Sequence, residues 1–379
     1  MKPSAEHEAF RDGVRRFVDR EITPHIAAWD EAETFPRSLY RRAAELGLLG
    51  LGYPEAYGGT PADGWFRLIA TEEIARAGSG GLMASLFSHN IGLPPIVAHA
   101  SEALKQRVIP GVLAGEKIAA LAITEPSGGS DVARLHCKAR REGNEWVIDG
   151  EKTFITSGLR ADWITLAVRT GMPGAAGISL IAVPGDTPGL TRTPLAKMGW
   201  WCSDTAQLHF DNCRVPADHL IGVENAGFRM IMENFNSERL LMSAGACAFA
   251  QVCYDEALDW ARQRQTFGSK LVEHQVVRHK LMDMRMRIAS THAWLHTLVE
   301  RQEAGDASQP DWVADLCLLK NHATQTMQFC ADAAVQILGG MGFMRGTKSE
   351  RIYREVKVMM IGGGAEEIMK ELAARQSGV

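Results

Sequence analysis

Residues 118–222 interrupt a chain that otherwise reads as helix, and that order limits the folds open to it. Within the interruption, "EWVIDGEKTFITSG" holds two β-rich runs joined at Asp149-Gly150, a dipeptide suited to a tight hairpin turn. "DWITLAVRT", "GISLIAVPG" and "AQLHFDNCRVP" follow as further strands, and in the last Ala206, Leu208 and Phe210 alternate with polar neighbours at period two. Upstream, Phe10, Val14, Phe17, Val18 and Ile22 fall on one face of a helix, and "SLYRRAAELGLLGLG", "WFRLIATEEIARAG" and "SEALKQRVIPGVLAG" read as helices punctuated by Gly and Pro. Downstream, helical patterns are predicted over 237–263, 274–304, 310–338 and 348–372. The third carries Leu316, Leu319, Ala323, Met327, Cys330, Ala334 and Leu338 on or near one face, as an antiparallel bundle requires. The expectation is an α+β chain of three domains: an N-terminal helical domain (1–117), a β-barrel-like middle domain (118–222) and a C-terminal four-helix bundle (223–379).

A length of 379 residues fits two or three domains that share interfaces. The net charge of −4 sets up no field that would attract a polyanion, so nucleic acid is not an expected partner. Seven cysteines, odd in number and never spaced C-x-x-C, indicate neither a disulfide framework nor a zinc site and fit a reducing cytoplasm. The N-terminus lacks the apolar core of a secretory signal, and no run approaches the roughly 18 apolar residues of a membrane span. A cytoplasmic protein without membrane contact is expected.

Two glycine-rich or hydroxyl-rich segments carry the chemistry. "LAITEPSGGSD" (121–131) gathers hydroxyls and flexible backbone at the entry to the β domain, enough to hold a planar hydrogen-bonding ligand. "IGGGAEEI" (361–368) places three glycines between helix-forming sequences, where each costs about 1 kcal/mol relative to alanine if helical. Such a break fits a turn with positive φ or a close approach to the backbone. Read alone, the first segment is a polar surface loop and the second a helix break.

With "EKTFITSG" (151–158), "RQTFGSKLVEHQ" (264–275) and "QILGGMGF" (336–343) added in this order, the whole chain resembles the acyl-CoA dehydrogenases. The resemblance implies non-covalent FAD, an acyl-CoA substrate, an electron-transferring flavoprotein as electron acceptor, and a homo-oligomer, expected to be a tetramer, that shares each FAD site between subunits. By position, Ala122, Ile123, Thr124 and Ser130 would meet the flavin edge, and Phe154, Ile155 and Thr156 would cover its ring. Arg264, a planar permanent cation suited to a pyrophosphate, would come from the neighbouring subunit. Phe267, Gln275, Gln336, Gly339 and Gly340 would accompany it, while Ala365 and Glu367 fall at further positions of cofactor contact.

In many members of that family, the position of Gly363 carries the glutamate that removes the α-proton of the thioester. A minority, resembling isovaleryl-CoA and long-chain acyl-CoA dehydrogenases, place it on the first long C-terminal helix, which here is Glu238 in "NFNSERLL". An empty Gly363 with a filled Glu238 is the pattern of that subclass, and Glu366 and Glu367 rank below Glu238. Glu238 could otherwise serve a helix end after Asn236-Ser237. Arg239 would meet the CoA portion, with Asn236, Ser130, Gly363 and Gly364 near the substrate, and backbone N–H groups at 363–364 would hold the thioester carbonyl. The stretch 80–96, read as one helix, would line the acyl tail through Leu82, Met83, Leu86 and Phe87; its lack of arginine favours a hydrocarbon tail. The implied reaction is FAD-dependent dehydrogenation to the trans-2-enoyl-CoA. Competing expectations are a flavin oxidase or monooxygenase on the same fold and a non-catalytic relative.

Overall fold

The computed structural model describes residues 4–379. The chain opens with α1 (Ala5–Phe17), which continues as a π-helical turn to Ile22, then α2 (Ile26–Glu31), α3 (Ser38–Glu45) and α4 (Gly64–Ala75). Asp63 starts α4 by accepting hydrogen bonds from the N–H groups of Trp65 and Phe66. The stretch read as one helix over 80–96 is instead broken into α5 (Gly80–Leu86), α6 (His89–Gly92) and α7 (Pro94–His99), before α8 (Glu102–Leu113). Pro94 and Pro95 account for one break, since neither can donate into a preceding turn.

The β region forms one sheet of β1 (Ala119–Ala122), β2 (Lys138–Glu142), β3 (Glu145–Thr156), β4 (Trp163–Arg169), β5 (Ile178–Pro184), β6 (Leu190–Pro194), β7 (Thr205–Pro216) and β8 (Leu220–Ile221). The order is β6-β7-β3-β2-β4-β5-β8, with β1 added parallel to β4. The hairpin expected at Asp149-Gly150 is not there: β3 runs through it as one strand paired with β7 on both sides. Gly150 marks a register shift, not a turn, and a Cβ on it would come within 2.6 Å of Cys137 Cα. The reversal into β3 falls just before it, at Gly143-Asn144, between β2 and β3.

The helical region that follows comprises α9 (Gly227–Gln263), a short ribbon of β9 (Gln265–Thr266) and β10 (Ser269–Lys270), α10 (Gln275–Glu303), α11 (Pro310–Leu338), α12 (Gly340–Phe343), α13 (Lys348–Ile361) and α14 (Glu366–Gln376). α9 starts ten residues earlier than its apolar pattern, because Met230 and Ile231 pack against the cluster formed with β5 and α8. The helix expected over 348–372 is two helices parted by the glycines.

A continuous apolar core joins the first helices to the bundle, with Ile74, Leu82, Leu86, Phe249, Met327 and Ile352 all buried. Glu355 on α13 reaches across this junction and accepts from Gly80 N at 2.6 Å, so the helix entering the glycine turn also caps α5. Trp200 closes the same junction from the β side, with its backbone against Gly81, where a Cβ would lie 2.8 Å from Trp200 Cα.

Candidate active site

Glu238, Met242 and Gly245 recur at i, i+4 and i+7 on α9 and therefore share a face. At the first of these positions the Glu238 carboxyl is half-buried, and desolvation pushes it up to about 7 although Arg239 and Lys320 pull the other way. At the second, Met242 lies under the glycine turn: a Cβ on Gly363 would fall 2.7 Å from its Sδ. At the third, the Met83 side chain from α5 lies over Gly245, where a Cβ would come within 2.7 Å of Met83 Cε.

The turn itself explains its composition. Gly363 has φ +65° and Gly364 φ +116°, conformations that L side chains rarely adopt. A Cβ on Gly364 would also press to 2.4 Å from Met369 Cε. Arg239 donates from Nε to Gly363 O at 3.0 Å and from Nη1 to Asn236 Oδ1 at 3.1 Å. Lys320, wholly buried on α11, donates to Met360 O at 2.9 Å and Gly364 O at 2.8 Å. Burial pulls its ammonium down to about 8. Two cations thus hold the carbonyls of the turn. A planar trans peptide directs its N–H opposite to its C=O, so pinning Gly363 O turns Gly364 N–H away from Arg239. Among the described residues, the N–H groups of Gly363 and Gly364 have no hydrogen-bond partner.

Arg239 is 5% exposed and commits Nε to the turn and Nη1 to Asn236. Its geometry is that of a residue that organises the turn, not of one that reaches outward to a CoA chain. Glu366 is committed to Lys370 at 2.6 Å, a pairing that holds its carboxyl below the usual range, and Glu367 is exposed; neither has the desolvated setting of Glu238. Ala365 precedes α14, half-buried. The tail-lining reading of α5 is corrected in part: Leu82 and Leu86 are fully buried in the shared core, whereas Met83, at its margin, is 8% exposed and Phe87 packs half-buried against it.

On the β side, Ala122 ends β1, Ile123 is buried, Thr124 is half-buried and Ser130 is exposed. Thr124 O accepts from Thr153 N at 2.8 Å, which ties the loop to β3. Lys152, 0% exposed, donates to Ile123 O at 2.9 Å and Glu125 Oε1 at 2.8 Å, and Glu125 also accepts from His136 N and Cys137 N. Burial alone would raise Glu125, but Lys152 and these N–H groups keep it below its ordinary value. Phe154 then stands 70% exposed at φ +60°, an unusual backbone for an aromatic, while Ile155 turns into the sheet core and Thr156 is half-buried. Ile155 therefore cannot cover a ring with its side chain; Phe154 can. Phe235, one turn before Glu238, packs on the cluster that contains Ile123, which links the two halves of the site.

The remaining predicted residues stand apart from this centre. Arg264 caps α9 and is exposed, Phe267 is fully exposed at φ +52°, and Gln275, Gln336, Gly339 and Gly340 are exposed. Among the described residues, nothing beyond the adjoining backbone lies within 4 Å of a Cβ built on Gly339 or Gly340. Lys320, Lys152, Glu125 and Met242 were not singled out from sequence. A signal existed for the first: a lysine next to Leu319 on the apolar face of α11. No helix is long and apolar enough to cross a membrane among the described residues.

Similarity to known proteins runs along the whole chain. Family models of the acyl-CoA dehydrogenase N-terminal, middle and C-terminal domains match residues 4–116, 120–213 and 225–378. The chain is similar to the mitochondrial long-chain specific acyl-CoA dehydrogenase of Sus scrofa, 34% identical over 98% of this chain and 86% of the relative. It is equally similar to the mitochondrial isovaleryl-CoA dehydrogenase of Oryza sativa, at 34% over 97% and 90%. Among solved structures, an acyl-CoA dehydrogenase from Mycobacterium smegmatis superposes with a TM-score of 0.96 at 45% identity, covering 99% and 98%.

Proposed function

Since the chain belongs to the acyl-CoA dehydrogenase family, we propose that it removes two hydrogens from the α and β carbons of a saturated acyl-CoA, with Glu238 taking the α-proton. The observation that carries this assignment is the pairing of a desolvated Glu238 carboxyl, held up to about 7, with a Gly363 at which a side chain would collide with Met242. A base near neutrality balances being deprotonated against being strong enough to accept a proton. The unpartnered N–H groups of Gly363 and Gly364 are then the donors for the thioester oxygen, which gains negative charge as the α-proton leaves. Arg239, Lys320 and Asn236 hold those donors in place without contacting the reacting atoms.

The residues fit FAD as cofactor. Phe154 offers an exposed aromatic face beside the donors of the 122–130 loop, and open space over Gly339 and Gly340 leaves room for close approach. When bound, FAD supplies the acceptor for the hydride that leaves the β carbon. Arg264, Phe267, Gln275 and Gln336, exposed in one chain, are read as completing the site of a second copy in a homotetramer. An electron-transferring flavoprotein is the proposed acceptor of the electrons, and a hydrocarbon tail running past Met242 toward Met83 is the proposed substrate class.

Anaerobic incubation with saturated acyl-CoAs and a dye acceptor tests this reading. The expected product is two mass units lighter and unsaturated at the α,β position. A product lacking that unsaturation, or oxygen consumed at a comparable rate in a parallel aerobic incubation without dye, would refute it.

The pH dependence follows from the raised carboxyl. Activity rises with pH through about 7 and levels off above it, as Glu238 becomes a carboxylate. Stability moves the other way. The folded state holds the Glu238 proton from 4.5 up to about 7 while the unfolded chain releases it, so the contribution present below 4.5 is lost across that window as pH rises. Lys320→Met removes a positive charge facing Glu238 and shifts the rising limb of the rate profile to higher pH, measurable as kcat/KM against pH.

A further inference from the structure

α10 carries two histidines, His292 and His296, at i and i+4, so their rings lie together on one face, with centroids 4.0 Å apart and planes tilted by 47°. α4 brings Glu72 to the same place, with Oε1 3.7 Å from His292 Nε2. One donor atom from each of the three lies within 4.8 Å of the other two. None of them belongs to the site described above.

Their surroundings resemble the supporting shell of a metal centre. Glu72 Oε2 accepts from Arg11 at 2.9 Å, which orients the carboxylate and leaves Oε1 toward the histidines. Arg11 is also bonded by the buried Glu73 at 3.2 Å, so its charge is already matched. His296 stands edge-on against the buried Trp65, with centroids 4.8 Å apart and planes at 89°, which fixes its ring. His292 is 48% exposed, which opens an approach for an ion and a place for a water ligand.

We propose that Glu72, His292 and His296 form a binding site for a first-row divalent metal ion of the zinc class, joining α4 to α10. Two imidazoles and one carboxylate, with a fourth position open to water, are a common zinc ligand set. An ion about 2.1 Å from each ligand needs them about 3.4 Å apart, so binding requires the exposed His292 ring to move inward. The site requires no acyl-CoA chemistry and stands whether or not the proposed function does.

The test is titration of the purified, chelator-treated full-length protein with Zn²⁺ against a chromophoric competitor, together with Co²⁺ as an absorbing substitute. The expected result is one ion per chain, a visible Co²⁺ band typical of four ligands, and a Tm that rises with Zn²⁺. His292→Ala, His296→Ala and Glu72→Gln should each weaken binding by about tenfold or more, since loss of even an outer-shell partner costs that much. His292 is exposed, so its variant folds as wild type and decides the matter if Glu72→Gln does not. Binding that His292→Ala leaves unchanged would overturn the proposal. A histidine pair alone, with Glu72→Gln binding Zn²⁺ as wild type does, would overturn the three-ligand site.

Discussion

Glu238→Gln is expected to lower turnover of a saturated acyl-CoA by about a thousandfold, within the range ascribed to a lost general base. The change keeps the size and half-buried position of the side chain but removes its capacity to accept a proton. Folding should persist, with greater stability than wild type at pH 8 and little difference at pH 4, because the variant no longer has a carboxyl to desolvate. Thermal unfolding at the two pH values checks that part. Loss of activity with an unfolded or cofactor-free variant would leave the base unassigned, so flavin content is measured on the same sample. Full activity would reduce Glu238 to a helix residue.

The second large effect concerns the other place a base might occupy. Glu238→Gln combined with Gly363→Glu puts a carboxylate on the turn, yet it should recover less than about a hundredth of wild-type turnover. The backbone there has φ +65°, and the new Cβ meets Met242 Sδ at 2.7 Å, so the turn must distort at a cost of about 1–3 kcal/mol. That distortion also moves the N–H donors that Arg239 and Lys320 hold. Adding Met242→Ala relieves the contact and should raise turnover of the double variant by about tenfold, the rate equivalent of about 1.4 kcal/mol. Steady-state rates of the double and triple variants settle it: equal rates would mean that the methionine does not exclude the second base.

The sequence shows much of this and hides the rest for identifiable reasons. Periodicity located the long helices because amphipathic faces recur every few residues over many turns, as in α10 and α11. It failed at Asp149-Gly150, where a dipeptide suited to a turn lies inside a continuous strand; the partner strand β7, distant in sequence, keeps the pairing on both sides. It also joined 80–96 into one helix, although Phe87 and Leu93 end successive short turns. The resemblance, not residue type, pairs Glu238 with Gly363, and it does not show what packs beneath the glycine turn. Met242 between them becomes relevant only once α9 and the glycine turn are brought together. The same holds for Lys320 and Arg239, whose work is done on backbone carbonyls that no motif records. Arg264, Phe267 and Gln336 remain exposed in a single chain, so their proposed role depends on a partner that the fold of one copy does not contain.

The most direct measurement is anaerobic mixing of the FAD-loaded protein with straight and branched saturated acyl-CoAs, following flavin absorbance in wild type and Glu238→Gln. Rapid bleaching of the wild type by one class of acyl chain, absent in the variant with its FAD still bound, is the result predicted here. Bleaching of the variant at the wild-type rate would contradict the assignment of Glu238, and a wild type that no acyl-CoA bleaches would contradict the dehydrogenation itself.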